Sequence, residues 1–143
     1  MVHLTKDRLM VIHRHWIWAN YMRIQFCSEF DENTLELAKD PVSYLISSVG
    51  THMCLWYGLL FTVCEVVRED RLIVQHFEPF FSEIYEDLKR FRNAIFHVQP
   101  EYWSPKLFEI MQQKDSPAKI KTVHEAMGRW LLAEMRGGPN VSP

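Results

Sequence analysis

An uncharged apolar run occupies the middle of the chain. Residues 42–64 contain no Lys, Arg, Asp or Glu, and they follow Asp40 and Pro41, an N-cap residue and a proline suited to the first position of a helix. Serine, glycine, threonine and histidine interrupt the first half of this run, which leaves its apolar part shorter than the ~20 residues that a membrane-spanning helix needs. We therefore interpret the run as a long core helix that extends to about Val67, and we expect no membrane partner.

The other segments also carry helical signals. No segment shows sustained alternation of apolar and polar residues with the Asn-Gly or Asp-Gly turns that are typical of hairpins. Start and stop signals predict a first helix from about Thr5 to Phe30, a third over residues 79–98, a short one from Lys106 to about Gln113, and a last one from Ser116 to Gly137. The sequence therefore predicts an all-α fold, an antiparallel bundle of four to five helices.

The length of 143 residues is enough for one hydrophobic core and short for two. We expect a single helical domain over residues 1–138 and a short tail over residues 139–143. A composition of 48% hydrophobic and 24% charged residues is typical of a chain that folds. The formal net charge of -2 argues against nucleic-acid binding through bulk positive charge, so any phosphate contact must come from a local patch.

The three cysteines, Cys27, Cys54 and Cys64, lie inside apolar runs and form no C-x-x-C pair. This placement is typical of reduced, buried thiols rather than zinc ligands or disulfides. No E-x-x-H pair is present for a di-iron site, and we expect neither a metal nor a cofactor. The first ten residues carry charges where a signal peptide needs an apolar region, which favours a cytoplasmic location.

The end of the third helix combines a core stripe with polar residues. Within about 60° of Leu88 on a helical wheel, the apolar stripe consists of Phe77, Phe81, Ile84, Phe91 and Ile95. Arg92 lies about 40° from Leu88, so its permanently charged guanidinium begins at the core edge and needs a partner. Glu65 is the predicted partner, because it is the only acidic residue in the apolar part of the second helix. Asn93 and His97, spaced i and i+4, share a different and more exposed face.

The stretch from Arg92 to His97, RNAIFH, resembles the R-x4-6-H motif of HEPN domains, in which a polar residue such as Asn93 commonly follows the arginine. HEPN domains are all-α bundles, and many are metal-independent ribonucleases that act as dimers in toxin–antitoxin, phage-defence and RNA-processing systems. The resemblance implies that His97 transfers a proton at the 2′-hydroxyl or the leaving oxygen of RNA. It also implies that Arg92 stabilises the phosphate charge and that Asn93 positions the phosphate.

Residues around the motif extend the expected site. Lys89 and Arg90 form a basic patch that would attract phosphate, and Tyr102 would stack on a base. Arg92 and His97 lie about 140° apart on an ideal helix, so their convergence requires the long arginine side chain, a distorted last turn or a second subunit. Aromatic residues on several faces of the first helix favour a homodimer. The resemblance implies RNA or a nucleotide as a partner, and an antitoxin or another regulatory protein as a second one.

Two observations keep an alternative open. One branch of the family continues its motif as R-x4-H-x-Y, whereas Gln99 occupies the tyrosine position here, so the tyrosine-directed regulation of that branch is not expected. Arg92 is also suited to a structural ion pair with Glu65, and His97 to the end of a helix, where a cation interacts favourably with the helix dipole. A non-catalytic helical interaction or nucleotide-binding module is the alternative function.

Overall fold

The computed structural model describes residues 4–70, 80–98 and 104–137. These residues form an all-α helical bundle, which confirms the predicted fold class. The seven helices in this part of the chain are α1 (Lys6–Glu29), α2 (Glu32–Leu37), α3 (Pro41–Ile46), α4 (Ser48–Glu69), α5 (Phe80–Phe96), α6 (Pro105–Gln112) and α7 (Ser116–Met135). The predicted tail, residues 139–143, lies outside the described residues.

The first helix begins and the last helix ends at the residues that the sequence signals predict. The hydroxyl of Thr5 accepts a hydrogen bond from the amide of Arg8 at 3.1 Å and so caps the start of α1. Helix α7 ends before Gly137, whose φ of 97° lies in a region that glycine adopts without strain. The predicted start of the first helix and the predicted end of the last helix are therefore confirmed.

The prediction of one continuous second helix is wrong, because the chain breaks at Ser47 into α3 and α4. Ser47 has an extended backbone, with φ -75° and ψ 164°, and its hydroxyl accepts a hydrogen bond from the amide of Gly50 at 3.1 Å. A side chain at position 50 would overlap the carbonyl oxygen of Tyr44, so this junction requires glycine. Ser47 thus acts as the N-cap of a new helix.

The polar stretch after α1 begins a further short helix, which the start and stop signals did not predict. Asp31 accepts a hydrogen bond from the amide of Thr34 at 3.0 Å, and the Thr34 hydroxyl accepts one from the amide of Asp31 at 3.2 Å. These reciprocal bonds form a capping box that starts the short helix α2. The bundle therefore contains four long helices and three short ones within its described part.

Helix α4 lies at the centre of the bundle, where it packs against α1, α3 and α5. By length and composition alone it could cross a membrane. However, 56% of its most apolar 18-residue window is buried inside the protein. Such partial burial is typical of the core helix of a bundle.

The core face of α5 is the one that the helical wheel predicts. Phe81, Ile84, Leu88 and Phe91 are buried, and Ile95 packs partly against the core. The ring of Phe91 contacts the ring of Tyr57 on α4, with centroids 5.6 Å apart. Phe77, the remaining member of the predicted stripe, lies outside the described residues. This packing fixes the side of α5 on which Arg92 meets α4.

The cysteines occupy three different environments. Cys64 is buried, Cys54 is half-buried and Cys27 is exposed. Burial raises the pKa of Cys54 to about 12 and raises the pKa of Cys64 as well, so both thiols stay protonated at neutral pH. The prediction of a buried thiol is wrong for Cys27, because its side chain borders an open cavity rather than the packed core.

Candidate functional site

Arg92 lies where α5 packs against α4. Its Nη2 is 3.5 Å from Oε1 of Glu65, and its guanidinium carbon is 4.7 Å from the centroid of the Phe61 ring. The side chains of Arg92 and Glu65 are 24% and 30% exposed, so the predicted ion pair is present at the edge of the core. The Nε of Arg92 is buried and has no hydrogen-bond partner among the described residues. One donor of the guanidinium is therefore left unpaired inside the protein.

The other two motif residues lie at the end of α5. Asn93 is half-buried, and His97 is exposed directly after the last helical residue. The amide of His97 donates a hydrogen bond to the carbonyl of Asn93 at 3.1 Å, so the last turn keeps helical geometry up to this bond. Arg92 and His97 therefore leave the backbone about 140° apart. A single protomer does not place these two side chains on one face of the helix.

The predicted binding residues around the motif differ in whether their side chains are free to contact a phosphate. Lys89 is exposed, whereas Nη2 of Arg90 lies 2.6 Å from Oε1 of Glu109 on α6. This ion pair offsets part of the predicted basic patch. Tyr102 lies outside the described residues. Among the described residues, no group of three or more His, Cys, Asp or Glu side chains is placed to hold a metal ion.

A buried polar cluster connects α1, α4 and α7, and the sequence analysis missed it. The indole N–H of Trp56 donates to Nδ1 of His124 at 3.1 Å, and Nε2 of His124 lies 3.0 Å from Oδ1 of Asn20. Because an indole nitrogen can only donate, Nδ1 of His124 is the acceptor and Nε2 carries the proton. Arg23 donates from Nε to the same oxygen of Asn20 at 3.0 Å. The cluster thus satisfies both nitrogens of a neutral imidazole.

The environment of His124 keeps this imidazole neutral. Its side chain is almost completely buried, and burial, with a smaller contribution from the charge of Arg23, lowers its pKa to about 4. One sequence signal for this residue exists: His124 shares the core spacing of α7 with Ile120, Met127 and Leu131. A histidine within an apolar stripe predicts a buried side chain, although its partners on other helices cannot be read from that pattern.

A cavity of about 570 Å³ opens beside this cluster, bordered by α1, α3, α4 and α7. Its charged lining residues are Arg23 and Lys121. The aromatic part of the lining consists of Phe26, Phe30, Tyr44, Trp56 and Tyr57. A second cavity of about 360 Å³ shares Arg23 with the first and is also lined by His124. The polar cluster therefore lies where the two cavities meet.

In the comparisons with known proteins, no family model, no curated protein and no solved structure matches this chain. The described residues define an all-α helical bundle with two candidate sites. One site is the RNAIFH motif at the end of α5, and the other is the aromatic cavity beside the His124 cluster.

Proposed function

We propose that this chain is a HEPN-like protein that forms a homodimer and cleaves RNA without a metal, at a site built from Arg92, Asn93 and His97. The observation that carries the proposal is the position of the motif at the C-terminal end of a long amphipathic helix, with Arg92 at the core edge and His97 exposed. Histidine titrates near neutral pH and can transfer protons, and arginine presents a planar fork that matches phosphate oxygens.

The geometry of α5 supports a site shared between two protomers. Arg92 points toward α4, where it meets Glu65, whereas His97 leaves the helix about 140° away. A catalytic site that uses both residues therefore takes Arg92 from one protomer and His97 from its partner. Glu65 then has a supporting role, since its ion pair holds the guanidinium in place.

An exposed apolar stripe on α1 supports the homodimer. Met10, Trp18, Tyr21 and Ile24 are between 44% and 60% exposed. These four residues fall within about 120° of the helix circumference. Large apolar side chains that are exposed together on one helix face are typical of an interaction surface, and a symmetric dimer would bury the same stripe on both chains.

The test is incubation of the purified protein with a mixed RNA pool in EDTA. Wild-type protein should cleave the RNA and leave 2′,3′-cyclic phosphate ends, because attack by the neighbouring 2′-hydroxyl needs no metal-bound water. His97→Ala should stay folded and lose about 10²–10⁴ in rate. His13→Ala, which removes a histidine from α1, is the matched control and should keep wild-type activity. Cleavage that EDTA abolishes, or that survives in His97→Ala, contradicts the mechanism.

A second candidate function is a non-catalytic helical interaction module. Arg92 forms an ion pair with Glu65 and lies over the ring of Phe61. These contacts favour the alternative, because they give Arg92 a structural role that needs no ligand. In that case Arg92 joins α4 to α5, and the α1 stripe binds a protein. A wild-type protein that does not cleave RNA in the same assay, and does not bind it in a gel-shift experiment, would support this function.

A further inference from the structure

The cavity bordered by α1, α3, α4 and α7 is independent of the motif, because no residue of α5 lines it. Its volume of about 570 Å³ lies within the range of roughly 300–1,000 Å³ that is typical of small-molecule sites. The rings of Phe26 and Trp56 contact each other in its wall, with centroids 5.6 Å apart. This wall offers a largely apolar surface to the body of a ligand.

The described lining of the same cavity carries two positive charges. Arg23 comes from α1 and Lys121 from α7, and no Asp or Glu is among the described residues of the lining. Within the part of the chain that the structure describes, neither cation forms an ion pair. Among the described residues, the guanidinium of Arg23 forms one hydrogen bond, to Asn20, and this bond uses only Nε. The cavity is therefore complementary to an anionic group.

The hydroxyl of Tyr57 in the lining also lacks a hydrogen-bond partner among the described residues. Tyr57 is only 4% exposed, and its hydroxyl forms no hydrogen bond with any described residue. Burial raises the pKa of Tyr57, so the hydroxyl keeps its proton and can donate. The hydroxyl of Tyr44, by contrast, donates to the sulfur of Met53 at 3.2 Å. Because Tyr57 lines the cavity, its unpaired hydroxyl is suited to donate to a ligand oxygen.

We propose that this cavity binds a small amphipathic anion, with its apolar body against the aromatic wall and a single carboxylate or phosphate head at Arg23 and Lys121. A nucleotide is a poorer fit, because its ribose and base need several polar partners that this lining does not supply. The two positive charges disfavour a cationic ligand of the same shape.

Four probes with the same ten-carbon chain test the ligand class: decanoate, decyl phosphate, decanol and decyltrimethylammonium. Titration below the micelle concentration, followed by calorimetry and by tryptophan fluorescence, gives each dissociation constant. We expect at least one of the two anions to bind about tenfold or more tightly than decanol, because a hydrogen bond to a charged group contributes about that much affinity. The cation should bind most weakly. The tighter of the two anions identifies the head group.

Four variants, Lys121→Gln, Arg23→Gln, Lys114→Gln and Ala118→Trp, locate the site. Lys121→Gln should weaken binding of the anion about tenfold and leave decanol unchanged. Lys114→Gln makes the same charge change at an exposed residue outside the lining and should change nothing. Ala118→Trp, at an exposed lining position, should fill the cavity and abolish binding of all probes. Equal affinity for all four probes, or unchanged anion affinity in both Lys121→Gln and Arg23→Gln, would overturn the proposal.

Discussion

The indole N–H of Trp56 donates a hydrogen bond to Nδ1 of His124, and this bond requires a neutral histidine. A proton on Nδ1 would place two N–H groups against each other and break the link between α4 and α7. The folded protein accordingly lowers the pKa of His124 to about 4, whereas a histidine in an unfolded chain titrates near ~6.5.

The first prediction is a loss of stability at acid pH that depends on His124. Between about pH 6.5 and about pH 4 the unfolded chain takes up a proton at this residue and the folded chain does not, so the free energy of unfolding falls as the pH falls. The loss should be on the order of 3 kcal/mol and complete below about pH 4. Urea unfolding of wild type and His124→Leu between about pH 6.5 and about pH 4 measures the contribution of His124 to the free energy of unfolding. An identical pH dependence in the two proteins would contradict it.

The second prediction concerns the ion pair between Glu65 and Arg92. Glu65→Ala should cost about 1–2 kcal/mol, less than the ~3–5 kcal/mol of a fully buried pair, because both side chains are partly exposed. Glu86→Ala, which removes a more exposed ion pair with Arg68, is the control and should cost less than about 1 kcal/mol. Denaturant unfolding measures both. A double-mutant cycle of Glu65→Ala with Arg92→Met that shows no coupling would eliminate the pair.

The third prediction contrasts two glycines that adjoin aromatic rings. A Cβ at Gly128 would lie 2.5 Å from the ring of Trp16, whose indole donates to the carbonyl of His124 at 3.0 Å and so resists movement. Gly128→Ala should therefore destabilise the protein by about 1–3 kcal/mol. Gly58→Ala meets Phe96, which is 50% exposed and can move aside, so it should cost less. Thermal unfolding that shows equal losses would refute the contrast.

The fourth prediction concerns assembly. Light scattering at micromolar concentration should give the mass of two chains, because burial of the α1 stripe removes apolar surface from water. Tyr21→Arg, in the middle of that stripe, should shift the mass toward one chain. Leu35→Arg alters an equally exposed apolar residue on α2 and should leave the dimer intact. A single-chain mass for the wild type would rule the dimer out.

The fifth prediction separates the charge of Arg92 from its shape. Arg92→Lys keeps a cation beside Glu65 and should leave the fold intact, with only a small change in unfolding temperature. RNA cleavage should nevertheless be lost, because an ammonium group does not offer the planar fork that matches phosphate oxygens. Cleavage at the wild-type rate would exclude this role for Arg92.

Part of the candidate site was predictable because it depends on helical periodicity. The wheel places Arg92 beside the core stripe of α5, and Glu65 is the only acidic residue in the apolar part of α4, so their ion pair follows from two local patterns. The break at Ser47 was not predictable in the same way. The break brings the carbonyl of Tyr44 to the position that a side chain at Gly50 would occupy. The spacing of apolar residues carries no information about such a backbone contact.

The sequence by itself determined the helical class, the outer helix ends and the core face of α5, because caps and apolar spacing act within single helices. Only the tertiary structure decided which side chains from different helices meet. Trp56 and Asn20 lie 68 and 104 positions from His124 in the chain, yet both bind its imidazole. Their meeting, and the cavity beside them, depend on how α1, α4 and α7 pack, and the periodicity of one helix does not specify its packing against another.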